Sequence, residues 1–75
     1  MAPTPDAVRI AGELAERGVI ELVLVKADSS RETLMARATD LPAVLDSLGA
    51  DDCIEAHSLG LEVVRDDDEL VLRPR

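Results

Sequence analysis

Aromatic side chains are absent from this chain of 75 residues, which contains no Phe, Tyr or Trp. Aromatic residues bury the largest apolar areas, so a short chain without them can build only a thin core of small aliphatic side chains. Their absence also removes the stacking surfaces on which single-stranded nucleic acids are bound. We therefore expect the missing buried area to come from self-association, and we predict a homodimer.

Basic residues are scarce as well, because eight Lys and Arg residues stand against sixteen Asp and Glu residues, giving a net charge of −8. Nucleic acids and anionic membrane surfaces are bound through clustered basic side chains, so we expect neither as a partner. A basic protein partner is compatible with this charge, which would attract such a protein before contact.

Cysteine and histidine occur once each, as Cys53 and His57. On a strand these two side chains share one face at a separation of about 13 Å, too far for a nucleophile and its base. A structural zinc site needs four ligands, and the glycines are spread singly, which argues against a phosphate-binding loop. We therefore predict no catalytic residues, no metal and no cofactor. The competing hypothesis is an enzyme, or a metal protein with a zinc site shared by two copies, that uses Cys53 and His57.

Signals for export or membrane insertion are also lacking. A single cysteine cannot form an internal disulfide, which favours a reducing compartment. The first residues have neither the basic nor the apolar region of a signal peptide. No apolar run approaches the roughly 20 residues of a membrane span. We expect a cytoplasmic protein.

Residues 18–27, with the sequence GVIELVLVKA, are the most informative stretch that is present. Their Val, Ile and Leu side chains fall on both sides of a period-two strand. A strand that is apolar on both faces needs cover on both sides, or cover on one side and a partner subunit on the other. We predict a dimer contact on the face away from the helices, formed by Val19, Glu21, Val23 and Val25.

The remaining periodicity predicts an α+β fold, with two helices packed on one face of a small antiparallel sheet built from hairpins. Helical spacing covers residues 5–17 and 41–48, with Thr4 and Asp40 as N-caps and Gly18 and Gly49 as terminators. Strands are predicted over residues 18–27, 32–39, 53–57, 61–64 and 69–73, which gives the order α-β-β-α-β-β-β. Residues 1–75 form a single domain, with residues 1–4 as a flexible N-terminus.

Acidic side chains are concentrated near the C-terminus, where eight of the sixteen lie between residues 51 and 69. Four of them are predicted at the tip of the last hairpin, as a possible contact for a basic protein partner: Asp66, Asp67, Asp68 and Glu69. Consecutive acids at a turn point apart, so they do not predict a calcium loop. The alternative is that they prevent edge-to-edge aggregation of this hairpin.

Residues 58–72, with the sequence SLGLEVVRDDDELVL, are similar to the closing hairpin of the small coupling proteins of bacterial multicomponent monooxygenases. The resemblance implies an acidic regulatory subunit without a cofactor. The composition and the pattern of the chain lead to a related expectation, a small non-enzymatic protein-interaction or regulatory module that forms a homodimer. The alternatives are a coupling subunit of a larger enzyme complex, and an antitoxin or immunity-type inhibitor of a basic partner.

Overall fold

The computed structural model describes residues 2–18 and 21–75. Within them the elements are, in chain order, α1 (Pro5–Glu16), β1 (Glu21–Val25), β2 (Arg31–Met35), α2 (Leu41–Asp46), β3 (Cys53–Ala56), a 3₁₀ turn (His57–Leu59), β4 (Leu61–Asp66) and β5 (Glu69–Pro74). The strands form one antiparallel sheet with the spatial order β2-β1-β3-β4-β5. The predicted α+β class and the predicted order of elements are confirmed.

Helix α1 begins and ends at signals that its own sequence carries. The hydroxyl of Thr4 accepts a hydrogen bond from the backbone N–H of Ala7 at 3.4 Å, and Pro5 occupies the first turn, where its missing N–H is not needed. Gly18 follows the helix with a φ of +77°, a left-handed conformation that suits glycine. The side chains spaced for one helical face are buried, namely Ala7, Ile10, Ala11 and Leu14.

Helix α2 is shorter than predicted, and a side chain from the sheet donates hydrogen bonds to the carbonyl groups at its C-terminal end. It stops at Asp46, and Asp40 occupies the N-cap position without a side-chain hydrogen bond. Gly49 does not adopt the left-handed conformation expected of a terminator. Instead, Arg65 of β4 donates from Nε to the carbonyl oxygen of Leu48 at 2.7 Å and from Nη2 to that of Asp46 at 3.2 Å. The unpaired carbonyl groups of this helix end therefore find a partner far away in sequence.

Strand β2 also ends before its predicted limit of residue 39. The carbonyl oxygen of Arg37 accepts hydrogen bonds from the N–H groups of Asp40 and Leu41, at 2.9 and 3.0 Å, and this turn leads the chain into α2. The alternation of small apolar residues at 34, 36 and 38 suggested a longer strand, but Ala36 is buried after the strand has ended. One face of this strand is polar, which indicated either a side facing water or an edge position, and β2 is an edge strand.

The helices cover one face of the sheet, and the core lies between the helices and the sheet. Besides the buried residues of α1 it contains Leu22, Ala36, Leu41, Leu45, Leu48, Ile54, Ala56, Val63 and Leu70. Successive strand residues point to opposite faces, so Leu22 and Leu24 of β1 face the helices, whereas Val23 and Val25 face away. We call the side of the sheet away from the helices the open face, because no element of the described residues covers it.

Candidate functional site

A row of small apolar side chains crosses four adjacent strands of the open face. The strand register places Val25 beside Cys53, Cys53 beside Val64, and Val64 beside Val71. All four residues are only half-buried in the single chain. We call them the aliphatic row. A groove of about 460 Å³ runs along part of this row and is lined by Cys53, Val64 and Val71 together with neighbouring polar residues.

A second row on the open face is charged, and its charges are paired within the chain. The register aligns Val23, Glu55, Glu62 and Arg73 on consecutive strands, which places two carboxylates side by side. Each carboxylate has its own cation, because Arg73 Nη2 lies 3.5 Å from Glu62 Oε2 and Arg31 Nη2 lies 2.5 Å from Glu55 Oε1. Like charges on adjacent strands would otherwise be destabilising.

Glu55 is the centre of a small cluster at one side of this row. Nε2 of His57 lies 2.6 Å from its Oε1, and Nη2 of Arg75 lies 3.5 Å from its Oε2. The hydrogen bond from His57, followed by the charges of Arg31 and Arg75, holds the pKa of Glu55 below its usual value. Glu55 is therefore ionised and fully paired at neutral pH, which does not suit a general base or a general acid.

Cys53 has a different carboxylate as its neighbour. Its Sγ donates a hydrogen bond to Glu62 Oε2 at 3.4 Å. Burial, and then the hydrogen bond to Glu62 and the negative charge of that group, raise the pKa of the Cys53 thiol to about 11. Cys53 and His57 therefore contact different carboxylates. The thiol of Cys53 is protonated at neutral pH, whereas the strong nucleophile would be the thiolate.

The centre of the open face differs in charge from the rest of the molecule. Three bases (Arg31, Arg73 and Arg75) stand against two acids (Glu55 and Glu62), which gives a net charge of +1. The other five bases and fourteen acids of the chain have a net charge of −9, and the two parts together give the total of −8. The acidity of the chain is thus cancelled at the centre of the open face, whereas Glu21, Asp66 and Glu69 keep the margins of that face acidic.

The predicted dimer residues lie where the alternation of β1 places them. Val23 and Val25 are half-buried on the open face, and Glu21 is exposed at the start of β1 on the same face. Val19 lies outside the described residues. The sequence prediction missed Cys53, Val64 and Val71, because their side chains join Val25 only through the register between strands, which the sequence does not reveal. Exposed Met35, at the end of β2 opposite Glu21, was missed for the same reason.

The predicted acidic residues lie at the end of the β4–β5 hairpin. Asp66 and Glu69 are opposite each other in the last pair of the ladder, and Asp67 and Asp68 form the two-residue turn. All four are exposed. Asp67 has a φ of +56°, a left-handed conformation that Asp tolerates better than most residues. The alternation of the strands places Asp66 and Glu69 on the open face, where they form a negatively charged pair next to Val64 and Val71 of the aliphatic row.

Comparison of the chain with models of known protein families, with curated proteins and with solved structures found no match. In the described part of the chain no group of three or more His, Cys, Asp or Glu side chains is placed to hold a metal ion. Nor is any helix in residues 2–18 and 21–75 long and apolar enough to cross a membrane.

Proposed function

We propose that the chain is a non-enzymatic protein-interaction module that acts as a homodimer, with two copies packed through their open faces. One observation carries this proposal: the aliphatic row lies across four strands on the side of the sheet that the helices leave bare. Packing the row of one copy on that of the other would remove from water the apolar surface that the single chain leaves half-exposed. The single free cysteine suits a reducing compartment, and we place the module in the cytoplasm.

Charge favours a second copy at this face. Two chains that each carry −8 repel each other over most of their surfaces. The centre of the open face carries +1, and its acids and bases are already paired within the chain. Paired charges cost less to desolvate than isolated ones, so two acidic copies would repel each other less at the centre of this face than at its acidic margins.

The size of the face limits how strong the dimer can be. Five strands spaced about 4.8 Å apart, each about 17 Å long, give a projected area of about 400 Å² per copy. Both copies together then bury about 800 Å², to which the uneven surface of the side chains adds some area. Stable specific interfaces bury at least about 1,200 Å². We therefore expect a weak dimer whose dissociation constant lies in the micromolar range.

The proposal is tested by Val64→Asp, which places a charge in the middle of the aliphatic row. Sedimentation velocity over a range of concentrations should show the wild type in a monomer–dimer equilibrium and Val64→Asp as a monomer, because an unpaired carboxylate would be buried at the contact. Val8→Asp is the matched control, since Val8 is 51% exposed on α1 and the substitution adds the same charge. It should dimerise like the wild type.

Folding of the variants is followed by circular dichroism. If Val64→Asp does not fold, the nearly isosteric Val64→Thr and the neighbouring Val23→Asp take its place. A folded Val64→Asp dimer as strong as the wild type would refute the open face as the contact. An equal loss of dimer in Val8→Asp would show that added charge alone is responsible.

A further inference from the structure

The two edges of the sheet are not equivalent. At one edge, β5 ends with Pro74, which has no N–H to offer, and α1 packs against this strand. At the other edge, β2 pairs only with β1, and four of its five residues are exposed. Met35, the last residue of β2, is 67% exposed. Natural proteins protect such an edge with proline, charged residues, bulges, short strands or a covering segment. Among the described residues β2 has no proline and no covering segment, and its protection is limited to its length of five residues and the charges of Arg31 and Glu32.

The unpaired backbone groups of this edge can be identified from the hairpin. The N–H of Lys26 donates to the carbonyl oxygen of Ser30 at 2.9 Å, so Lys26 and Ser30 form a hydrogen-bonded pair. In an antiparallel ladder such pairs alternate with pairs that are not hydrogen-bonded. Glu32 and Leu34 therefore bond to β1, whereas the N–H and C=O groups of Arg31, Thr33 and Met35 point away from the sheet. None of these three residues makes another backbone hydrogen bond within the described residues.

We propose that the free edge of β2 is a strand-addition site, which binds an extended basic segment of a partner protein. The backbone groups of Arg31, Thr33 and Met35 would pair with the added strand and supply affinity that does not depend on sequence. Charge selects the kind of segment. Glu32 is exposed on β2 and forms no ion pair with any described residue, Arg31 is occupied by Glu55, and the chain carries −8. A segment that carries Lys or Arg is therefore attracted and an acidic segment is repelled.

A second copy of the chain is a poorer occupant of this edge than a basic segment. Pairing β2 with β2 of another copy would bring two strongly acidic molecules together at a strand that carries an unpaired Glu32. The outward backbone groups of β2 lie in the plane of the sheet, whereas the proposed dimer contact lies on the open face, so a basic segment can bind whether or not the dimer forms. The inference thus does not depend on the homodimer.

Amide hydrogen exchange followed by NMR tests the edge residue by residue. In the free protein we expect fast exchange at Arg31, Thr33 and Met35 and slow exchange at Glu32 and Leu34. The probe is a blocked octapeptide in which lysine and valine alternate, and its control replaces each lysine by glutamate. The lysine peptide should slow exchange at Thr33 and Met35 by at least about tenfold, and this effect should decrease when the salt concentration is raised from about 50 mM to about 300 mM.

Thr33→Pro tests the same edge by mutation. Proline removes the outward N–H without removing a bond to β1, so the peptide affinity should fall by at least about tenfold. Thr33→Ala keeps the N–H and is the matched control, which should bind like the wild type. If Thr33→Pro does not fold, the effect of the lysine peptide on amide exchange in the wild type still tests whether β2 is the binding site.

Several outcomes would overturn the proposal. They are equal binding of the lysine and glutamate peptides, unchanged binding to a folded Thr33→Pro, and peptide binding without protection of Thr33 and Met35. Protection of these amides that rises with protein concentration alone would indicate a second copy instead. Repeating the titration with Val64→Asp separates the two proposals, because loss of the open-face dimer should leave peptide binding unchanged.

Discussion

At the scale of the residue, the surroundings of Cys53 on the open face lower the reactivity of its thiol. Its thiol lies half-buried in the aliphatic row and donates to Glu62, and both conditions favour the protonated form. Its only candidate base, His57, is bound to Glu55 instead. Cys53 and His57 are therefore held in two separate contacts on one surface, a hydrogen bond to Glu62 and a contact with Glu55.

The pKa of Cys53 leads to a prediction about its reactivity. A thiol with a pKa of about 11 has about one thiolate per thousand molecules at pH 8, so iodoacetamide should alkylate Cys53 much more slowly than it alkylates glutathione. Glu62→Gln removes a negative charge and the carboxylate acceptor, which lowers the pKa of the thiol and should speed alkylation by up to about tenfold.

Mass spectrometry of the alkylated protein over time measures both rates. Glu32→Gln, which removes an exposed carboxylate on β2, is the control and should leave the rate unchanged. Alkylation of wild-type Cys53 as fast as that of glutathione would contradict the prediction and would revive the hypothesis of an enzyme with a cysteine nucleophile.

At the scale of the element, two glycines are expected to respond to the same substitution in opposite ways. Gly12 lies exposed within α1 with open space where a Cβ would be, so Gly12→Ala should stabilise the fold by up to about 1 kcal/mol. Gly60 follows the 3₁₀ turn with a φ of +66°, so Gly60→Ala should destabilise it by about 1 kcal/mol. Urea unfolding followed by circular dichroism gives both values, and the same sign for both variants would be inconsistent with these backbone conformations.

The elements could be predicted from the sequence wherever the deciding signal is local. Thr4 and Gly18 bound α1 as expected, and the turn of acidic residues after β4 closes the last hairpin. The prediction was wrong where a distant group decides. The end of α2 depends on Arg65, which is far away in sequence, and β2 ends at a turn that leads into the next helix.

The candidate site could be predicted only in part for a related reason. Period-two alternation within β1 was sufficient to place Val23 and Val25 on the face away from the helices. The pairing of β1 with β3 joins residues on either side of α2, and no local pattern specifies it. The register between strands is therefore needed to place Cys53, Val64 and Val71 beside Val25.

At the scale of the whole molecule, the proposed dimer would make stability depend on assembly, because the core is thin and one face of the sheet is uncovered. The core has no aromatic residue, and a chain of this size is marginally stable alone. Because the dimer binds only folded chains, the midpoint of thermal unfolding should rise with protein concentration in the wild type. It should be independent of concentration in Val64→Asp. Circular dichroism melts over about a hundredfold range of concentration measure this, and a constant midpoint in the wild type would argue against the dimer.

The unequal edges of the sheet also bear on where strand pairing with other chains would begin. A molecule that could accept strands at both margins could pass the pairing from copy to copy and grow into a fibre. Here Pro74 removes one outward N–H from the margin at β5 and α1 packs against that strand, whereas β2 has no proline and is contacted by no helix to a comparable extent. If β2 accepts a guest strand as proposed, we therefore expect strand pairing to begin at β2 rather than at β5.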